Sequence, residues 1–113
     1  MAPRPSPLAR LVGRRIATLR DAAGMTQETL AWEAGFKSKG YLSRIESGQR
    51  LPSVDVLDRI ARRLSVEVRD LFVFPDHGPV AAAMDVVRRA GPDVAPKVIE
   101  LVAKVARRRP AAR

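Results

Sequence analysis

The sequence predicts an all-α chain: a compact five-helix domain followed by a C-terminal helical hairpin. Three observations carry this. Apolar residues recur at three- and four-residue steps in one segment after another, the spacing of a single helix face. Glycine, proline and small hydroxyl residues punctuate those segments where helices would stop and start. No stretch alternates apolar and polar residues with the period of a strand, and no internal repeat is visible.

Residues 1–7 read as a flexible, proline-rich tail. Ser6 and Pro7 then supply an N-cap and a first-turn proline. Leu8, Val12, Ile16, Leu19 and Ala23 follow on one face, and Gly24 ends the first helix. Thr26 caps a short second helix, 27-QETLAWEA-34, which turns Leu30, Ala31 and Ala34 inward and stops at Gly35. Ser38 caps a third helix that ends at Gly48. Pro52 and Ser53 introduce the fourth, whose stripe is Leu57, Ile60, Ala61 and Leu64. A short fifth helix covers Val68 to Phe72, and Pro75 closes a domain of residues 8–75. Residues 76–113 hold the linker, within 75-PDHGP-79, and two C-terminal helices. The first is Val80–Ala90, ended by Gly91; the second is Val94–Arg109, opened by Asp93 with Pro96 in its first turn, where proline is tolerated.

A chain of 113 residues suits a binding module better than an elaborate enzyme. With no cysteine, a disulfide framework and cysteine-based zinc sites are excluded. The sole histidine, His77, lies in the linker beside Asp76, and no nucleophile or carboxylate pair accompanies it. One histidine does not build a zinc site of the usual kind, so no metal, no cofactor and no enzymatic activity are expected. The stretch LARLVGRRI is broken by arginines, and the longest apolar run, around 80-VAAAM-84, is far too short to span a bilayer. A soluble, cytoplasmic protein is the expectation.

Charge points to the partner. The net charge is +9, with +5 in residues 1–20 and +3 in residues 37–50. Unevenly placed positive charge suits a polyanion. The segment 35-GFKSKGYLSRIESG-48 shows how it would be met. At roughly 100° per residue, Tyr41, Leu42 and Ile45 make an anchoring face, and Lys39, Gly40, Ser43, Arg44 and Ser47 make the opposite one. The outer face is slim at its centre, with long cations beside it. Such a helix can lie in a groove about 12 Å wide while Lys and Arg reach guanine edges or phosphates. Gly40 weakens the helix by roughly 1 kcal/mol against alanine, which close approach to a ligand would explain.

The tight turn at Gly35, the TQETLA opening of the second helix, the YLSRIESG of the third, the Pro-Ser cap of the fourth and the closing DLF resemble the phage repressor/Cro-type, or Xre-like, helix-turn-helix family across roughly Leu8–Phe72. The resemblance implies sequence-directed binding of double-stranded DNA in a bacterial or phage setting. The second helix would abut the DNA backbone and the third would enter the major groove. Lys39, Ser43 and Arg44 match base-reading positions, Arg44 being the best guanine reader and Lys39 reaching a base or a phosphate. Gln27 matches a phosphate contact, with Thr26 assisting or serving only as cap. Ser38 is a cap first and a phosphate ligand second; Tyr41 offers its hydroxyl to a phosphate but buries its ring. Gln49 and Arg50 match a loop that grips backbone. Glu46 matches a glutamate paired with an arginine late in the first helix, here Arg20, so both are scaffold. Three positions depart from the family pattern. The turn before the third helix is one residue longer than the commonest spacing, Gly40 stands where a reading side chain is frequent, and Ser65 stands where a helix-ending glycine is common.

Trp32 lies off the apolar face of its helix, so either the C-terminal hairpin covers it or it marks a partner or dimer surface. In the last helix Val94, Val98, Leu101, Val102 and Val105 share one side, which must be buried by dimerisation or by folding back. Dimerisation would match an inverted-repeat operator. The leading functional expectation is a dimeric transcriptional repressor. Alternatives are an antitoxin holding a toxin through Trp32 or the hairpin (Val98, Leu101, Val105), and an adaptor whose helix-turn-helix surface contacts protein.

Overall fold

The computed structural model describes residues 6–108, and among these it contains helices and no strand. They divide between Phe74 and Pro75 into two units, each described by itself.

The first unit holds α1 (Pro7–Ala22), α2 (Gln27–Glu33), α3 (Lys39–Glu46), α4 (Val54–Arg63) and a 3-10 turn at Val68–Phe72. Their ends are chemically specified. The Ser6 hydroxyl accepts from the Ala9 amide, Thr26 from Thr29, and Ser53 from Val56. Each satisfies one amide that the first helical turn leaves without a partner. Gly24, Gly35 and Gly48 close the first three helices in the left-handed region. Ser65, which follows the end of α4, adopts the same region at φ 58° with an L side chain.

Val12, Ile16, Leu30, Leu42, Ile45, Ile60 and Leu71 are the largest fully buried side chains and draw all four helices and the 3-10 turn into one core. Each such burial stabilises by about 1.5–3 kcal/mol. The expected α1 stripe is too long at both ends. Leu8 is 43% exposed, the burial in the first turn passing to Ala9, and Ala23 is exposed as the residue that caps the helix.

Two glycines set how closely α1 meets α3. A Cβ on Gly13 would fall 2.2 Å from the carbonyl oxygen of Ile45 and 2.7 Å from that of Glu46. At Gly48, with φ +80°, a Cβ would fall 2.7 Å from the Arg10 Cα. Backbone therefore packs on backbone, and the end of α3 is pinned across α1.

The second unit begins with a 3-10 turn at Pro75–His77, in the segment expected to be plain linker. It continues with α5 (Pro79–Ala90) and α6 (Ala95–Arg108), α5 packing on both the turn and α6. α6 opens two residues after Asp93, with Pro96 in its first turn, and Arg109 lies outside the described residues. Asp85 holds Arg88 and Arg89 at 3.3 Å each. Neither helix buries a residue fully. Among the described residues no helix is long and apolar enough to cross a membrane.

Candidate nucleic-acid interface

The inner side of α3 fixes the outer side. Leu42 and Ile45 are fully buried, so the faces of this two-turn helix are set. Opposite them, Lys39, Arg44 and Ser47 are exposed, and Gly40 and Ser43 half-exposed. Little stands near Gly40: a Cβ there would meet only the Arg44 Nη1 and the Ser38 Oγ, each at 3.6 Å. The Ser47 hydroxyl donates back to the Arg44 carbonyl at 3.2 Å, which leaves Lys39 and Arg44 as the outward donors of greatest reach.

The one acid of α3 is removed from this face. Glu46 receives Arg20 Nε at 2.7 Å and Nη2 at 3.1 Å, a bidentate pair whose side chains are 6% and 13% exposed. Arg20 also donates to the Met25 carbonyl at 2.8 Å and lies 3.2 Å from Asp21. The hydrogen bond to Glu46 is the main reason its guanidinium pKa is raised, against the opposing effect of burial. The Gln27 amide nitrogen donates to Glu46 Oε1 at 2.9 Å. A carboxylate accepts only, so this bond fixes which way the Gln27 amide turns. Helices α1, α2 and α3 are thus tied at a single carboxylate.

Around this centre the other residues divide. Thr26 uses its hydroxyl twice, accepting from the Thr29 amide and donating to the Thr29 hydroxyl, both at 3.0 Å, so its capping role is occupied. Ser38 stands at the N-cap position of α3, but its side chain makes no cap bond; at φ −154° and ψ 157° the residue is extended and its hydroxyl does not reach back. The expected capping by its side chain is therefore corrected. Tyr41 is half-buried, edge-on to Phe36 with centroids 4.9 Å apart, and the Arg50 guanidinium lies 5.5 Å above its ring. Gln49 and Arg50 are exposed just past Gly48. Trp32 is 83% exposed, and on α6 Leu101 and Val105 are 62% and 51% exposed with Val98 half-buried.

Three contributors escaped the sequence reading. Gly13 permits the close α1–α3 contact described above. Arg15 is buried at 5% exposure and donates from Nε to the Asp70 carbonyl at 2.9 Å, tying α1 to the last turn of the unit. Its place between Val12 and Ile16 on the apolar face was the available signal. Phe36, in the lengthened turn, fills the space beneath Tyr41 and carries the Arg59 guanidinium 5.7 Å above its own ring. Arg59 further donates to the Ala34 carbonyl at 3.3 Å, bracing the end of α2.

The helix-turn-helix domain family matches residues 11–72. An uncharacterised HTH-type transcriptional regulator of Sinorhizobium fredii is 39% identical over 72 residues, 64% of this chain and 92% of the relative. A longer HTH-type regulator of Mycobacterium tuberculosis is 41% identical over 61 residues, 54% of this chain, which spans 43% of that protein. The solved restriction-modification controller protein C.AhdI of Aeromonas hydrophila superposes with a TM-score of 0.55 at 38% identity, over 57% of this chain and 96% of its own. With the slim cationic face of α3 mounted on α1 and α2 as described, the chain belongs to the phage repressor/Cro-type family of helix-turn-helix DNA-binding transcriptional regulators.

Proposed function

We propose that this protein is a sequence-specific, dimeric transcriptional repressor that lays α3 in the major groove of an inverted-repeat operator, in the cytoplasm of a bacterial cell. The supporting observation is the division of α3: a buried apolar face, its single acid neutralised against Arg20, and an outer face of Lys39, Gly40, Ser43 and Arg44. Arg44 presents a planar fork that suits guanine O6 and N7 together, and Ser43 and Lys39 read beside it. Gly40 lets the helix backbone approach the base edges. Gln27 and the free-standing Ser38 hydroxyl serve phosphates on one side; Arg50, steadied above Tyr41, and Gln49 serve them on the other. Thr26 supports this grip by fixing the start of α2. The exposed stripe of α6 around Leu101 and Val105, with Val98, is the surface through which two copies join. An inverted-repeat operator would require two copies of α3 to meet half-sites about one DNA turn apart.

The test begins with a 30-base-pair duplex enriched by the full chain from a randomised pool. Fluorescence anisotropy then compares wild type with Arg44→Ala at physiological salt, with excess unrelated DNA. Binding that survives the competitor and weakens by about 1–3 kcal/mol in the variant is the expected result. Binding that salt abolishes equally in both proteins would mean that only charge is read. Sedimentation of Leu101→Glu/Val105→Glu is expected to give monomers that bind a single half-site weakly.

A further inference from the structure

A groove of about 530 Å³ runs between α2 and the beginning of α3, beside the outer face of the recognition helix. Glu28 and Trp32 line it from α2, Phe36 and Lys37 from the turn, and Lys39 and Gly40 from the start of α3. Lys39 and Gly40 also belong to the DNA-facing side, so groove and face are one continuous surface. Trp32 is 83% exposed and has no place in the core. Along the chain the groove is polarised, with an acid and an indole on one lip and two lysines on the other.

We propose that this groove is an outlying part of the DNA-binding surface and seats a nucleotide of the strand flanking the bases read by α3. The indole of Trp32 lies against the sugar and base edge of that nucleotide, and Lys37 holds its phosphate. Phosphates are kept to the lysine lip, because Glu28 repels them from the other. Contacts to sugar and phosphate position a protein on the duplex without reading its sequence, so the contact adds affinity with little sequence preference. This extends the operator footprint beyond the base pairs that α3 reaches, and it rests on the major-groove reading above.

Trp32 is the sole tryptophan of the 113-residue chain, so indole emission reports on the groove alone. The full chain is titrated with the enriched 30-base-pair duplex while anisotropy of the labelled DNA and tryptophan emission are recorded together. The expected result is an emission change with the same midpoint as the anisotropy, and protection of the indole from acrylamide quenching. Trp32→Ala should weaken binding about fivefold, the scale of truncating one contributing interface side chain. Trp32→Phe should recover most of that loss, and both variants should keep the wild-type preference among bases. Substitution of so exposed a side chain leaves the core untouched.

A complex seen by anisotropy with unchanged emission and quenching would overturn the proposal and leave the major-groove reading standing. Emission that depends on protein concentration without DNA would overturn it in favour of a second copy in the groove. A response to a co-purifying protein but not to the duplex would overturn it in favour of a protein partner. Failure of the full chain to enrich any duplex would overturn the major-groove reading and this proposal together.

Discussion

Gly13→Ala is the substitution for which helix propensity and packing give opposite signs. Gly13 lies within α1, where alanine should stabilise by about 1 kcal/mol. The added Cβ, however, falls 2.2 Å from one backbone carbonyl oxygen and 2.7 Å from the next, at the end of α3. Backbone cannot swing aside as a side chain does, so α1 and α3 must part by about 1 Å. A gap of that size forfeits a quarter to a half of the dispersion energy of the contacts it opens. Those contacts include the fully buried Val12, Ile16, Leu42 and Ile45, and the parting also stretches the Arg20–Glu46 pair. Overpacking of this kind costs about 1–3 kcal/mol, and with two carbonyls struck the upper value applies. After the propensity gain, the net loss is about 2 kcal/mol, a fall in Tm of roughly 10 °C for a domain of this size. Urea and thermal unfolding followed by circular dichroism measure it. Gly40→Ala is the control: its Cβ meets only flexible side chains at 3.6 Å, so the same exchange should stabilise the fold by up to about 1 kcal/mol. That variant should also bind the operator less tightly. A midpoint for Gly13→Ala equal to or above wild type would refute the packing account of the α1–α3 crossing.

Other substitutions probe separate parts of the same frame. Ser65→Gly relieves an L residue held at φ 58° and should raise stability by about 1 kcal/mol, read as a higher urea midpoint at unchanged slope. Ser53→Ala removes the cap on Val56 and should cost about 1 kcal/mol, whereas Ser38→Ala, which breaks no cap bond, should leave unfolding unchanged and weaken only DNA binding. Glu46→Ala leaves a nearly buried guanidinium without its counter-charge and should cost about 3–5 kcal/mol, while the double replacement Arg20→Met/Glu46→Met should recover much of it. Because the Arg20 pKa is raised on folding, the pair's contribution is complete below the unfolded guanidinium pKa. It is lost only as pH rises through the still higher folded value, so the cost of Glu46→Ala should be flat across neutral pH.

The helices were legible because their cues are local: a hydroxyl residue before each of α1 to α4, a glycine after α1, α2, α3 and α5, and apolar spacing between. The Arg20–Glu46 pair was reached through the family resemblance, and its geometry agrees with that expectation. What escaped depends on where helices cross. Nothing in the neighbours of Gly13 tells that a carbonyl of α3 will lie over it. Ser38 has the identity of a cap residue yet lacks the cap bond: its φ is −154°, against −72°, −80° and −63° at Ser6, Thr26 and Ser53, which do bond, and it follows the lengthened turn in which Phe36 is buried. The helical type of Val68–Phe72, a 3-10 turn, was likewise beyond reach, since five residues are too few for spacing to separate the two forms.

Why a helix proposed to face DNA should carry an acid at all is answered by the side on which Glu46 sits. At an outward position its charge would oppose phosphate and weaken every operator alike. Turned inward, it is cancelled by Arg20 and becomes the fixed point to which α1 and α2 are attached. Gln27 is bound to the same carboxylate, so the start of α2 and the body of α3 cannot shift independently. Proposed phosphate and base contacts therefore hang from one rigid junction. This matters for a helix of only eight residues, whose own hydrogen bonds would not keep its outer side chains in register. Precision at Arg44 is on this view a property of Arg20, Glu46 and Gln27, none of which needs to touch a base. A Gln27→Met variant separates the two levels: if Gln27 acts by positioning, its loss of operator affinity should shrink for duplexes changed at the bases proposed for α3, whereas an equal loss on every duplex would mean that it acts only as a phosphate contact.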